Sequence, residues 1–278
     1  MRTLAHLSDP HFGRIERATV QASIIAVTQA RPDIVIVSGD LTQRAKAREF
    51  QEARRFLDAL PFPQIVVPGN HDVPLYNVLA RVLKPLRNYQ RYISKDLEPF
   101  YSDEEIAIVG VNTARSLTFT NGRINRRQVA RSCARLEAAG ENRTRIVVSH
   151  HPFDLPETHE LHGLVGRADM AMAGFACCRV DLILSGHLHI SRSSESAPLD
   201  DSPDHPALVI HAGTATSTRT RGELNSFNII QVDGPCVSIQ CLAWKRERGS
   251  FLPSATAQFQ HTPAGWSRIP PADAPGKP

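Results

Sequence analysis

Ile34-Val35-Ile36-Val37-Ser38-Gly39-Asp40 decides how the rest of the chain reads. Four β-branched residues in a row, without polar alternation, describe a strand buried on both faces, as in a parallel sheet covered by helices. The run stops at Ser-Gly-Asp, a tight turn ending in a carboxylate. The same unit recurs on either side. Upstream, Leu4 to Leu7 ends at Ser8-Asp9-Pro10, and a helical pattern follows with Val20, Ile24 and Val27 on one face. Downstream, Phe50, Ala53, Leu57 and Leu60 mark a second helix, and Ile65-Val66-Val67 ends at Pro68-Gly69-Asn70-His71-Asp72. Strands alternating with helices predict an α/β fold with a largely parallel sheet, whose ligands gather at the carboxyl ends of the strands. Each polar cluster lies at such an end.

Further along, the spacing predicts helix over 74–95, interrupted by Pro85, as a cap leaning over the site. Strands follow at about 106–111, 145–149 and 181–185, with helices near 126–138 and 168–178. The last two of these strands end in His150-His151 and in Gly186-His187-Leu188-His189. The polar stretch 191–206 reads as a loop and a candidate wall of the substrate pocket. From about 205 to 260 the chain is β-rich, which predicts a second sheet packed on the first. The expected organisation is one domain over 1–266 and a flexible, proline-rich tail over 267–278.

Composition narrows the class. Of 278 residues, 41% are hydrophobic and 22% charged, an ordinary globular balance. A net charge of +4 suits an anionic substrate, but with only 6% aromatic residues it does not favour a nucleic-acid partner. The five cysteines, an odd number without framework spacing, predict reduced thiols and a cytoplasmic location. The chain enters its first motif at Asp9, which leaves no room for a signal peptide, and no apolar run reaches membrane-spanning length.

Taken singly, the polar residues have ordinary explanations: Asp and Asn cap turns, and a lone His is more often structural than a ligand. Together they are harder to explain that way. Separate strand ends deliver carboxylates at Asp9 and Asp40, a carboxamide at Asn70, and imidazoles at His11, His150, His187 and His189. Such mixed oxygen and nitrogen donors suit Mn, Fe, Zn or similar ions. In a chain leaving a strand, residues i and i+2 point the same way, so Asp9 with His11, and His187 with His189, can face one cavity.

In order, Asp9-Pro10-His11, Gly39-Asp40, Gly69-Asn70-His71-Asp72, Ser149-His150-His151-Pro152 and Gly186-His187-Leu188-His189 resemble the signature of the calcineurin-like metallophosphoesterase superfamily. The Gly-Asp-Leu-Thr and Pro-Gly-Asn-His-Asp forms are most similar to bacterial class III cyclic-nucleotide phosphodiesterases. The resemblance implies a four-layer αββα sandwich of two mixed β-sheets flanked by helices. It implies two metal ions, divalent or an Fe(III)/M(II) pair, with Asp9, His11 and His189 on the first, Asn70, His150 and His187 on the second, and Asp40 bridging. It also implies His71 as an outer-sphere catalytic residue, with Asp72 placed to orient it, although Asp72 equally fits a turn-forming role.

Two close cations acidify a shared water and hold phosphorus for in-line attack by the resulting hydroxide, without a protein nucleophile. The expected reaction is therefore hydrolysis of a small anionic phosphodiester, with a cyclic nucleotide as the leading substrate class. A glycerophosphodiester, a nucleotide-lipid pyrophosphate or a nucleic-acid end is the alternative for the same site. A non-catalytic scaffold predicts eroded ligands, whereas the full set is present. Candidate substrate contacts are Asn70, His71, His151, Asn112, Arg115 and Arg221, the last three on loops at strand exits. The β-rich carboxyl-terminal region leaves a homodimer open.

Overall fold

The computed structural model describes residues 1–118, 120–155, 163–195, 205–220, 222–263 and 265–270. In chain order the first elements are β1 (Arg2–Leu7), α1 (Arg17–Ala30), β2 (Ile34–Ser38), α2 (Ala47–Asp58) and β3 (Gln64–Val67). Next come α3 (Val78–Leu83), α4 (Arg87–Tyr92), β4 (Phe100–Ser102), β5 (Ile106–Val111), α5 (Arg126–Ala138), β6 (Thr144–Ser149) and α6 (Ala168–Cys177). The remainder is β7 (Leu182–His189), β8 (Arg192–Glu195), β9 (Leu208–Gly213), β10 (Ser226–Asp233), β11 (Cys236–Lys245), β12 (Ser250–Thr262) and β13 (Gly265–Ile269).

These strands form two mixed sheets, ordered β13-β12-β11-β10-β1-β2-β3 and β4-β5-β6-β7-β9-β8. Alternation along each strand builds the layers. Between the sheets lie Leu4, Ile34, Ile36, Ile65 and Val67 against Ile108, Ile146, Val148, Leu184 and Ile210. The opposite side of the first sheet, Leu7, Val35 and Val37, packs with Val27, Phe50, Phe56 and Leu57 of α1 and α2. That of the second, Val109, Val147, Ile183 and Val209, packs on α5 and α6 through Leu136, Met172 and Phe175. This is the αββα sandwich, and the unbroken apolar reading of β2 follows from its having a core on each face.

Several expectations change. The two sheets do not divide at residue 205: β10 pairs antiparallel with β1, so the carboxyl-terminal strands extend the first sheet, while β5, β6, β7 and β9 pair in parallel as the second. Hydrophobic runs show which segments are strands but not which neighbour each will take. On α1 the buried stripe is Thr19, Ala22, Ser23, Ala26 and Val27, with Val20 and Ile24 flanking it. Small residues bring that helix close to the sheet. The proposed loop 191–206 opens with β8, which pairs with β9, and its residues 196–204 lie outside the described residues. Ser267 to Ile269 lie in β13, paired with β12, rather than in a tail; residues 271–278 lie outside the described residues.

The cysteine reading is also corrected. Packing of α5 on α6 brings the Cα atoms of Cys133 and Cys178 to 5.5 Å, and the two are disulfide-bonded. Cys177, Cys236 and Cys241 are free. The thiols therefore no longer argue for a cytoplasmic location. Among the described residues, no helix is long and apolar enough to cross a membrane.

Candidate metal centre

The carboxyl ends of β1, β2, β3, β6 and β7 meet at one edge of the sandwich. Backbone bonds from Asp9 N to Gly39 O (3.1 Å) and from His11 N to Asp40 O (3.0 Å) join the first two loops. Gly69 and Gly186 are required by close approach: a Cβ on Gly69 would overlap the Asp40 carboxylate, and one on Gly186 would overlap Ser8 Oγ.

The seven sequence-predicted donors come together in two adjoining groups. In the first, Asp9 Oδ1 lies 3.1 Å from His189 Nε2 and 3.5 Å from His11 Nε2, and those two nitrogens are 3.3 Å apart. In the second, His150 Nε2 lies 3.1 Å from Asn70 Oδ1 and 3.3 Å from His187 Nδ1. Asp40 spans both, with Oδ2 3.7 Å from His11 Nε2 and Oδ1 3.4 Å from His150 Nε2. Donor atoms at 2.0–2.2 Å from one cation stand about 3.0–3.6 Å apart in octahedral or tetrahedral geometry. Nearly all these separations are edges of that kind.

The surrounding hydrogen bonds dictate which ring nitrogens are available. His150 Nδ1 donates to Ser38 O (2.8 Å), His189 Nδ1 to Arg219 O (2.7 Å), and His11 Nδ1 is directed at Thr42 O (3.4 Å). With Nδ1 engaged in this way, loss of any second proton leaves each Nε2 lone pair facing the neighbouring donors, an arrangement that a cation resolves. Asp9 behaves likewise: Oδ2 accepts from Ser8 Oγ (2.6 Å) and His187 N (2.9 Å), whereas Oδ1 is buried without a hydrogen-bond donor. The residues present therefore fit a pair of metal ions.

Charge and backbone agree. Burial works against ionisation of Asp9, yet the imidazoles of His189, His11 and His150 hold its carboxyl well below the ordinary range. Asp40 is depressed in the same way, His150 and His71 overcoming its burial. Burial likewise opposes charging of His150, but Asp40 and Asp9 lift it to about 9. Asp9, His11, Asp40, His187 and His189 all have left-handed φ, between 49° and 69°. For non-glycine residues this costs on the order of 1–3 kcal/mol each. The i, i+2 pairs thus face one cavity through left-handed turns, not through the extended backbone that the sequence argument used.

The remaining predicted residues separate. His71 donates from Nδ1 to Gln43 O (3.0 Å), and its Nε2 lies 3.9 Å from Asp40 Oδ2 and 3.1 Å from Arg219 Nη1. Burial, with His11 and Arg219 reinforcing it against Asp40, holds its imidazole below the usual value. Asp72 does not orient His71. Its carboxylate accepts from Leu41 N, Thr42 N, Thr42 Oγ1 and Gly69 N at 2.9–3.2 Å, bracing the Asp40 loop. Burial and the charge of Asp40 push Asp72 up to about 7 against those donors. His151 bonds Thr113 Oγ1 through Nδ1 (2.8 Å) and packs its buried ring against those of His150 and His187.

Asn112 and Arg115 are engaged within their own part of the chain. Asn112 Oδ1 closes a turn with Ala114 N (3.0 Å), and Arg115 Nη1 binds the carbonyls of Asn112 and Ala114 while Nη2 binds Gln128. These groups clamp their own loop to α5. Arg221 lies outside the described residues. Upstream of it, the hydroxyls of Thr214 and Thr216 donate to Asp9 O and Pro10 O and so brace the first loop. Sequence motifs do not single out Gln43 or Arg219, which contact His71; their only signal is a position on loops at the same strand ends.

A two-sheet sandwich carrying two adjoining Asp/His/Asn clusters that share a carboxylate defines a dinuclear-metal phosphoesterase scaffold. Residues 2–191 match the family model of the calcineurin-like phosphoesterases, and the chain belongs to that family, which depends on dinuclear metal centres. The chain is 31% identical over 165 residues to glycerophosphodiester phosphodiesterase GpdQ of Enterobacter lignolyticus, a match covering 55% of this chain and 58% of that protein. It thus spans little more than half the length of that relative. Purple acid phosphatase PPD1 from yellow lupin (Lupinus luteus) shares the fold, with a TM-score of 0.65 at 12% identity over 92% of this chain and 53% of that one.

Proposed function

We propose that the protein is a dinuclear-metal phosphodiesterase acting on a small anionic diester. The observation that carries this reading is the sharing of Asp40, whose two oxygens face one donor group each. Asp9, His11 and His189 would hold one ion, Asn70, His150 and His187 the other; Mn, Fe or Zn, as like ions or an Fe(III)/M(II) pair, suit these donors. Bound there, the pair supplies an acidified water and neutralises phosphoryl charge for in-line displacement.

The chain's own residues do the rest. Asp9 and His11 side chains are fully enclosed, whereas the His71 side chain is 20% exposed, so substrate approaches over His71. Gln43 O fixes the His71 ring, leaving Nε2 and the Arg219 guanidinium at the mouth of the site. There the guanidinium can hydrogen-bond the phosphoryl or leaving oxygen as charge develops, and His71 can do so once Nε2 takes up a proton; in the neutral ring that nitrogen accepts from Arg219 Nη1. His151 flanks the second donor group, its ring against those of His150 and His187.

Glycerophosphodiesters are the first substrate class, favoured by the name of the 31% identical relative. Cyclic nucleotides are the second, favoured by the Gly-Asp-Leu-Thr and Pro-Gly-Asn-His-Asp motifs. The test is hydrolysis of bis(p-nitrophenyl) phosphate against p-nitrophenyl phosphate by metal-stripped protein reloaded with Mn, beside Asn70→Ala. Preference for the diester, lost in the variant, is expected; activity on the monoester alone overturns the assignment. Glycerophosphocholine and cyclic AMP then separate the two substrate classes.

A further inference from the structure

A second group of donors lies at the opposite end of β7. Asp181 precedes the first residue of that strand, His205 precedes β9, and His261 lies near the end of β12; one donor atom of each lies within 4.8 Å of the others. Six residues separate Asp181 from His187 along β7, so at about 3.3 Å per residue the group is roughly 20 Å from the candidate metal centre. Its members come from both sheets.

Asp181 repeats the presentation of Asp9. One oxygen, Oδ2, is anchored by the amide of Arg145 (2.7 Å), and the other, Oδ1, faces His205 Nε2 at 3.3 Å. That separation is the edge of a tetrahedron with bonds of about 2.0–2.1 Å. The side chains of Asp181 and His205 are 22% and 11% exposed, so the pair is largely sheltered. The third member is held in place: His261 N donates to Pro235 O (2.7 Å), and its ring packs against His205 (5.3 Å) and Trp266 (5.0 Å). Its Nε2 is buried without a hydrogen-bond partner.

We propose that Asp181, His205 and His261 form a further metal site, for a borderline divalent ion such as Zn²⁺, that clips the end of β12 to the start of β7. Two imidazoles and one monodentate carboxylate fit that class, whereas Mg²⁺ and Ca²⁺ take oxygen shells. A fourth position opens to a cleft of about 800 Å³, also lined by Glu137, Glu141, Arg143 and Arg179. With ligands from two sheets, the ion acts as a cross-link between them.

Untagged full-length protein is stripped of metal, dialysed against Zn²⁺ and its metal counted, beside His261→Ala and His205→Ala, with the fold of each checked by circular dichroism. Each variant is expected to hold one Zn²⁺ fewer per chain than the parent and to keep diester hydrolysis when reloaded with Mn. In an Asp40→Ala background, Zn²⁺ still raises Tm, and adding His261→Ala abolishes that rise. Equal zinc content in the parent and either folded variant overturns the proposal, as does equally tight uptake of Mg²⁺ at this site. The difference of one ion is read whether or not the candidate metal centre fills, so the failure of either reading is distinguishable from that of the other.

Discussion

At its carboxyl end β7 delivers His187 and His189, both on left-handed backbone, into an enclosed group of donors. At its amino end Asp181 meets His205 and His261 at half-buried positions, and none of the three is among the described non-glycine residues with positive φ. The same side-chain chemistry is thus held in two ways. Strain accumulates where the donors crowd: five of the seven, Asp9, His11, Asp40, His187 and His189, sit on left-handed backbone around the carboxylate of Asp40. Three donors around one ion demand no such distortion. Backbone strain marks the end that carries chemistry, and its absence fits a structural clip.

The largest expected break in this contrast is Asp40→Ala. Because Asp40 faces both donor groups, its loss should lower kcat/KM for bis(p-nitrophenyl) phosphate by about 10³-fold or more. Metal should leave the carboxyl end of β7 only, as counted in parent and variant. Full activity with full metal content would sink the bridging role. His71→Ala comes next, with kcat down by about 10²–10³-fold and metal content unchanged, the behaviour of a residue that serves the leaving group. Loss of an ion instead would make His71 a ligand.

A pH comparison of metal-free and metal-loaded protein follows. His150 sits at about 9 in the metal-free fold, above its ordinary 6.5, chiefly against burial and because of Asp40. A raised value means stability fully present below pH 6.5 and lost as pH rises through 9, up to about 3 kcal/mol for this group. Asp72, raised to about 7 by burial and Asp40, acts in the same direction between its ordinary 3.8 and 7. Ligated His150 has no proton to lose, so the Tm gap between the two forms should widen from pH 6.5 to pH 9. A constant gap would contradict this account. His261, held below its ordinary value mainly by burial, acts in the opposite sense, its contribution being lost as pH falls.

Legibility differed between the two ends for a physical reason. Gly186-His187-Leu188-His189 is local, and so is each of the other motifs; a strand end supplies its ligands within a few residues, and the motif survives in one dimension. Asp181, His205 and His261 are joined only by sheet pairing, and pairing was what the hydrophobic runs could not show: they located β10 to β12 but assigned them to the wrong sheet. The Cys133–Cys178 disulfide was hidden for the same reason, depending on α5 meeting α6. At the candidate centre itself, roles that depend on three-dimensional reach went astray. Asp72 adjoins His71 in sequence but faces the Asp40 loop, whereas Arg219, 148 positions away from His71, reaches it.

Arg219 supplies the finest test, because its two halves act separately. Its carbonyl accepts from His189 Nδ1 at 2.7 Å, and its guanidinium lies 3.1 Å from His71 Nε2. Alanine keeps the first contact and deletes the second. Arg219→Ala is therefore expected to retain both ions and lose about 10–100-fold in kcat, the usual scale for groups that position a catalytic residue. Arg219→Lys should not restore it, since an ammonium cannot bond imidazole and phosphoryl oxygen through a planar fork. Arg179→Ala, a matched change in the cleft at the amino end of β7, should leave kcat unchanged. Loss of metal in Arg219→Ala would show that the side chain supports His189 rather than His71, and an unchanged kcat would reduce it to a charge at the rim.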